Sequence, residues 1–98
     1  MIIRIVKLSF HPEHISTFKT IFDQSKQKIL NRQGCNRVEM LQDIQHKNIF
    51  FTYSWWDSEA DLNAYRHSDL FEGVWAKTKL LFNDKPMAWS TEKINEAL

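Results

Sequence analysis

The stretch Asn48 to Trp75, NIFFTYSWWDSEADLNAYRHSDLFEGVW, decides the fold. From Ile49 to Trp56 it carries large apolar groups at odd and even positions alike, mixed with Thr and Ser, the pattern of a strand buried on two faces. The pattern changes at Asp57-Ser58. Ser58 and Asp61 form a capping-box-like S-x-x-D, with Leu62 and Tyr65 starting a helical stripe behind it. A second cap signal at Ser68-Asp69 predicts that the helix bends or restarts there. Much of the chain's aromatic content lies in this strand and helix, so a pocket for an organic ligand is expected to border them.

Working outward, the polar link Gln45 to Asn48 is short enough for a hairpin, which makes Cys35 to Asp43 a strand antiparallel to Ile49–Trp56. In that strand Val38 and Met40 share one face, and Leu41 lies beside Arg37 and Glu39 on the other. Upstream, Ile15, Phe18, Phe22 and Ile29, widened by Ile21 and Leu30, form the stripe of an amphipathic helix. Pro12 opens that helix and Gly34 is expected to close it as its C′ residue. Ile2 to Phe10 reads as a first strand with Ile2, Arg4, Val6, Leu8 and Phe10 on one face. Downstream, Leu70, Phe71, Val74, Thr78, Leu81 and Phe82 keep to one side, Asn83 to Pro86 breaks the pattern, and Met87 to Ile94 is a last strand.

The order β-α-β-β-α-β is that of an α+β, ferredoxin-like fold, a four-stranded antiparallel sheet with its helices on one face. Residues 1–98 are expected to form a single domain. Helices on one face leave apolar residues on the other, so a homodimer packed sheet against sheet is expected. In this reading Tyr53 and Trp55 face the helices while Phe50 and Trp56 face the second copy. A one-residue slip of register exchanges Tyr53 and Trp55 with Thr52, Ser54 and Trp56.

A formal net charge of +1 with interspersed signs offers no basic stripe, so nucleic acid is not an expected partner. The N-terminus MIIRIVKLSF is too short and too charged for a signal peptide or membrane span, and the lone Cys35 suits a reducing compartment. A cytoplasmic protein without a membrane partner is expected. His11 and His14 form an H-x-x-H with no carboxylate or thiol beside it, which is not a metal-site signature, and no metal is expected. Cys35 reads as a small buried apolar residue rather than a nucleophile.

The opening IIRIVKLSFHPE, the Gly34-Cys35 turn, the passage FFTYSWWDSEADLNAY and the restart SDLFEGVW together resemble the antibiotic biosynthesis monooxygenase domain family. Of these, W-D-S-E-A-x-L-x-A, Trp56 to Ala64, is the most specific. These are small dimeric α+β barrel proteins that include quinol and polyketide monooxygenases and haem-degrading relatives. The resemblance implies oxidation of a small aromatic or quinol-type molecule by dioxygen without a cofactor. Several members carry histidines where this chain has Tyr65 and Leu70. The Asn, Trp and haem-ligating His of the haem-degrading branch align near Val6, Tyr65 and Trp75, so haem degradation is not expected.

Candidate site residues follow from both lines of reasoning. Tyr53, Trp55, Arg66, Phe71 and Trp75 are the candidate substrate-binding residues, and Tyr65 and His67 the candidates to assist deprotonation. The same aromatics also suit a plain domain core, and His67 a helix end where a cation is favourable. A non-catalytic dimer that binds a small apolar molecule, or has a structural role, is the alternative.

Overall fold

The computed structural model describes residues 1–97. Its elements are β1 (Ile2–Ser9), α1 (Ile15–Leu30, entered through a 3-10 turn at Pro12–His14), β2 (Cys35–Gln42), β3 (Ile49–Trp56), α2 (Glu59–Arg66), α3 (Asp69–Thr78) and β4 (Met87–Glu92). The strands form one antiparallel sheet in the order β2-β3-β1-β4, the ferredoxin-like arrangement. The expected break in the second helix is real. Ser58 and Ser68 each accept a hydrogen bond from the backbone N–H three residues on, at 3.1 and 3.2 Å, so two capped helices stand where an uninterrupted stripe would give one.

Gly34 departs from expectation. Helix α1 ends at Leu30 with Asn31, φ −79°, as its C-cap, and the left-handed residue comes later, at Gly34 with φ 81°. It lies inside a turn closed by the Cys35 N–H donating to Arg32 C=O at 3.1 Å. A Cβ at Gly34 would run into the Asp61 side chain, so Gly is required here by the close approach of α2 as well as by backbone sign. At Asn36 the β2–β3 register shifts, and this bulge returns Cys35 to the helix side, opposite Trp56. Cys35 then packs against the core, as a small apolar residue would.

The face assignment of β3 is the main correction. Register pairs Ile2 with Trp56, Arg4 with Ser54, Val6 with Thr52 and Leu8 with Phe50, and these pairs lie on the helix side. Phe50 and Trp56, expected to face a second copy, are both fully buried beneath the helices. Phe50 meets Phe10 and Phe18 edge to face at 5.8 and 5.2 Å, and Trp56 stacks on Tyr65 at 5.1 Å. Tyr53 and Trp55 alternate to the opposite face, where the Arg37 guanidinium lies 5.2 Å from the Trp55 ring. The physical reason is that α1 supplies Phe18 and α2 supplies Leu62, apolar partners for the two ends of the even-numbered row.

Two apolar clusters result. One joins Ile2, Ile29, Trp56 and Leu62, the other Leu8, Phe10, Phe18 and Phe50. Burying each large side chain contributes about 1.5–3 kcal/mol. The middle of the helix-side face, between these clusters, carries smaller groups, and there the packing opens.

Candidate functional site

A cavity of about 400 Å³ lies between the sheet and the helices. Its floor is Arg4 and Val6 from β1, Thr52 and Ser54 from β3, and Ala88 from β4, side chains too short to reach helices seated on the bulkier clusters at either end. Ile21, Phe22 and Ser25 of α1 form one wall. The other wall comes from the α2–α3 segment and includes Tyr65, Arg66, Phe71 and Trp75. The volume suits a ligand of a few fused rings.

The aromatic wall has a defined geometry. Phe71 and Trp75, one helical turn apart on α3, lie nearly parallel, with centroids 5.9 Å apart and an interplanar angle of 9°. The Tyr65 ring meets Phe71 edge to face at 5.3 Å while its own face stacks on Trp56. This fixes Tyr65 between core and cavity. Burial pushes the Tyr65 hydroxyl up to about 12, helped by the Cys35 thiol and opposed by the Arg32 guanidinium. At physiological pH it is neutral, with a proton available to donate.

Polar groups on the floor are few. Ser54 Oγ accepts from Trp56 Nε1–H at 2.8 Å, which satisfies the buried indole. Arg4 donates to Ser90 Oγ at 3.0 Å. Burial, and then the nearby Arg66 guanidinium, depress the basicity of Arg4. Among the described residues, Arg4 and Arg66 are the charged residues of the lining, with no aspartate, glutamate, histidine or lysine beside them in it. Burial likewise raises the Cys35 thiol, which leaves it protonated and inert.

Of the residues singled out in the sequence, Tyr65, Arg66, Phe71 and Trp75 are brought together around this cavity. Tyr53 borders it through the strand backbone, since its ring is on the far face near Trp55 at 6.0 Å. Trp55 is not part of the lining, and neither is His67. His67 is the exposed C-cap of α2, and its Nδ1–H donates to Asn63 C=O at 2.8 Å. Among the lining residues that the sequence did not single out are Arg4, Thr52 and Ser54 on the floor. Their signal was present: in Phe50-x-Thr52-x-Ser54-x-Trp56 one face runs large, small, small, large, the pattern of a floor with raised ends. Among the described residues no cluster of three or more His, Cys, Asp or Glu could hold a metal ion.

Solved structures with the same fold are numerous. One, a crystal structure of an antibiotic biosynthesis monooxygenase, matches with a TM-score of 0.90 at 14% identity over 97% of this chain and 100% of that one. A conserved protein from Methanosarcina mazei Go1 matches with a TM-score of 0.88 at 20% identity, covering 95% of this chain and 93% of its own. A Mycobacterium tuberculosis protein matches with 0.89 at 14% identity, covering 99% and 98%. These identities carry the fold alone. No curated protein matches the chain by sequence. The model of the antibiotic biosynthesis monooxygenase family matches residues 1–76, from the first strand through most of α3. With the cavity walls and most of the fold inside that match, the chain belongs to the antibiotic biosynthesis monooxygenase family.

Proposed function

We propose that the chain is a monooxygenase that oxidises a small, electron-rich aromatic molecule of the hydroquinone or anthrone type with dioxygen and no resident cofactor. The cavity of about 400 Å³, with the Phe71–Trp75 wall and a neutral Tyr65, is the observation that carries this reading. The rings lie along that wall. Because the lining offers no carboxylate or imidazole, the substrate gives its proton to solvent, which confines the reaction to molecules that ionise readily. The resulting carbanion passes one electron to dioxygen, and the two radicals combine to form a C–O bond. Tyr65 O–H donates to the developing peroxide oxygen. Loss of water from the hydroperoxide leaves a carbonyl, so that R₂CH₂ + O₂ gives R₂C=O + H₂O.

The oligomer is part of the same proposal. On the face of the sheet away from the helices Ile3, Ile5, Phe51, Tyr53 and Trp55 form an apolar field edged by Leu41, Met87 and Trp89, which are 44%, 51% and 42% exposed. A second copy of the chain, packed sheet against sheet, covers it and holds each cavity floor rigid.

An oxygen electrode with a panel of hydroquinones and anthrones tests the activity. Turnover is expected, and Tyr65→Phe is expected to lower kcat about ten- to a hundred-fold while leaving KM nearly unchanged. No oxygen uptake with any of the panel, or a Tyr65→Phe variant of full activity, overturns the reading. The absence of a titrating base from the lining favours a second one, a non-catalytic dimer that binds such molecules. Saturable binding of the panel without oxygen uptake would select it.

A further inference from the structure

Among the described residues neither arginine of the lining is in an ion pair. Among the described residues the ion pairs are Asp23–Lys26, Arg37–Glu39 and Lys93–Glu96, none of which borders the cavity. Arg4 stands mid-strand on the floor, and its hydrogen bond to Ser90 Oγ uses one of the several N–H donors of its guanidinium. Arg66 stands at the end of α2 on the wall. Arg4 feels Arg66 as a like charge, and among the described residues no carboxylate offsets that repulsion at Arg4. Arg4, half-buried beside a like charge, is at a disadvantage when the cavity is empty and is relieved when an anion enters. The guanidinium fork also matches a planar oxyanion, with two parallel N–H donors to two oxygens.

We propose that the cavity takes an anionic aromatic ligand, a ring system bearing a carboxylate or an ionised phenol, with its charge held between Arg4 and Arg66 and its rings along Phe71 and Trp75. The inference rests on the reading of the cavity as a ligand site and adds the charge of what it binds. It makes Arg4 and Arg66 specificity-determining residues. It also supplies what the lining otherwise lacks, since a phenol bound beside two guanidinium groups ionises more readily than in water.

The test uses 2-naphthoate and its neutral isostere 2-naphthamide, titrated calorimetrically into the full chain. The naphthoate is expected to bind at least about ten-fold more tightly, as charge-assisted hydrogen bonds imply. Arg66→Gln, at an exposed position that leaves the fold intact, is expected to remove most of that preference, lowering naphthoate affinity far more than naphthamide affinity. Arg4→Lys keeps the charge and is expected to retain the preference, whereas Arg4→Met is expected to lose it. A second arm follows the absorbance of 4-nitrophenol on binding, where a rise in the ionised form shows that a phenolate is held as well as, or in place of, a carboxylate. Equal binding of the two naphthalene probes together with no gain in nitrophenolate overturns the inference. So does failure of all three probes to bind. Oxygen uptake is measured separately, so a protein that prefers naphthoate yet oxidises nothing refutes the monooxygenase reading alone.

Discussion

On its helix side the sheet carries Val6, Thr52, Ser54 and Ala88 across its middle, and on its other side the same strands carry Ile5, Phe51, Tyr53 and Trp89. Apart from Arg4, the middle of the covered face has small side chains where the middle of the uncovered face has large ones. A lone small domain would be expected to distribute them the other way, because burial of large apolar groups is the main favourable term in folding. The inversion makes sense if each face serves something beyond the single chain. In the reading proposed above, the small floor residues leave room for a ligand and the large outer residues are covered by a second sheet. The two apolar clusters at the ends of the helix side, anchored by Phe50 and Trp56, hold the helices up and keep the cavity from collapsing.

The largest effect expected from this contrast separates Phe50 from its neighbours on the far face. Phe50→Ala is expected to cost about 3–5 kcal/mol in urea unfolding, because it opens a void against Phe10 and Phe18. Trp55→Ala is expected to cost less than about 1 kcal/mol in the dilute monomer, yet to weaken dimerisation at least about ten-fold in sedimentation equilibrium. A Trp55 variant as damaging as the Phe50 variant at concentrations where the chain is monomeric would break the assignment of faces.

A smaller effect tests how tightly Tyr65 is held between core and cavity. The folded chain keeps its hydroxyl protonated up to about 12, whereas the unfolded chain releases the proton near the ordinary tyrosine value of 10. Above pH 10 the unfolded state therefore binds fewer protons, and stability falls as pH rises toward 12. The loss attributable to Tyr65 is on the order of 1–3 kcal/mol. Denaturant melts from pH 9 to 12 measure it as the difference between the wild type and Tyr65→Phe, which lacks this dependence. Parallel curves for the two proteins would mean that Tyr65 is open to water and poorly suited to shield a reacting oxyanion.

The smallest effect concerns the wall. Gly73 lies inside α3, and a Cβ there would meet nothing within 4 Å. Gly73→Ala is expected to add about 0.5–1 kcal/mol by lowering the entropy of the unfolded chain, read as a Tm a few degrees higher. Since the added methyl points into open space, ligand affinity should not change. A loss of affinity would sharpen the comparison by showing that α3 must flex over the floor to admit its ligand.

Much of the fold was legible from short-range signals. The strand Ile49–Trp56, the S-x-x-D cap at Ser58 and the restart at Ser68 could be read because capping and turn chemistry involve residues within one helical turn of each other. Four of the candidate residues, Tyr65, Arg66, Phe71 and Trp75, were also legible, because they cluster within eleven residues and Phe71 and Trp75 are one helical turn apart on α3. The assignment of β3's faces was not legible. Both rows of that strand are apolar enough to be buried, so its own composition is nearly symmetric, and only the partners that α1 and α2 bring can break the tie.

By itself, then, the sequence determined the order of elements, the caps and the likeness to a family, all of which depend on residues close together in the chain. Tertiary structure alone decided that Phe50 and Trp56 go inward and Tyr53 and Trp55 outward, that His67 stays outside the cavity, and that Arg4 and Arg66 come within electrostatic reach of each other. Those outcomes depend on contacts between residues far apart in the chain, such as Phe18 with Phe50 and the end of α2 with the middle of β1.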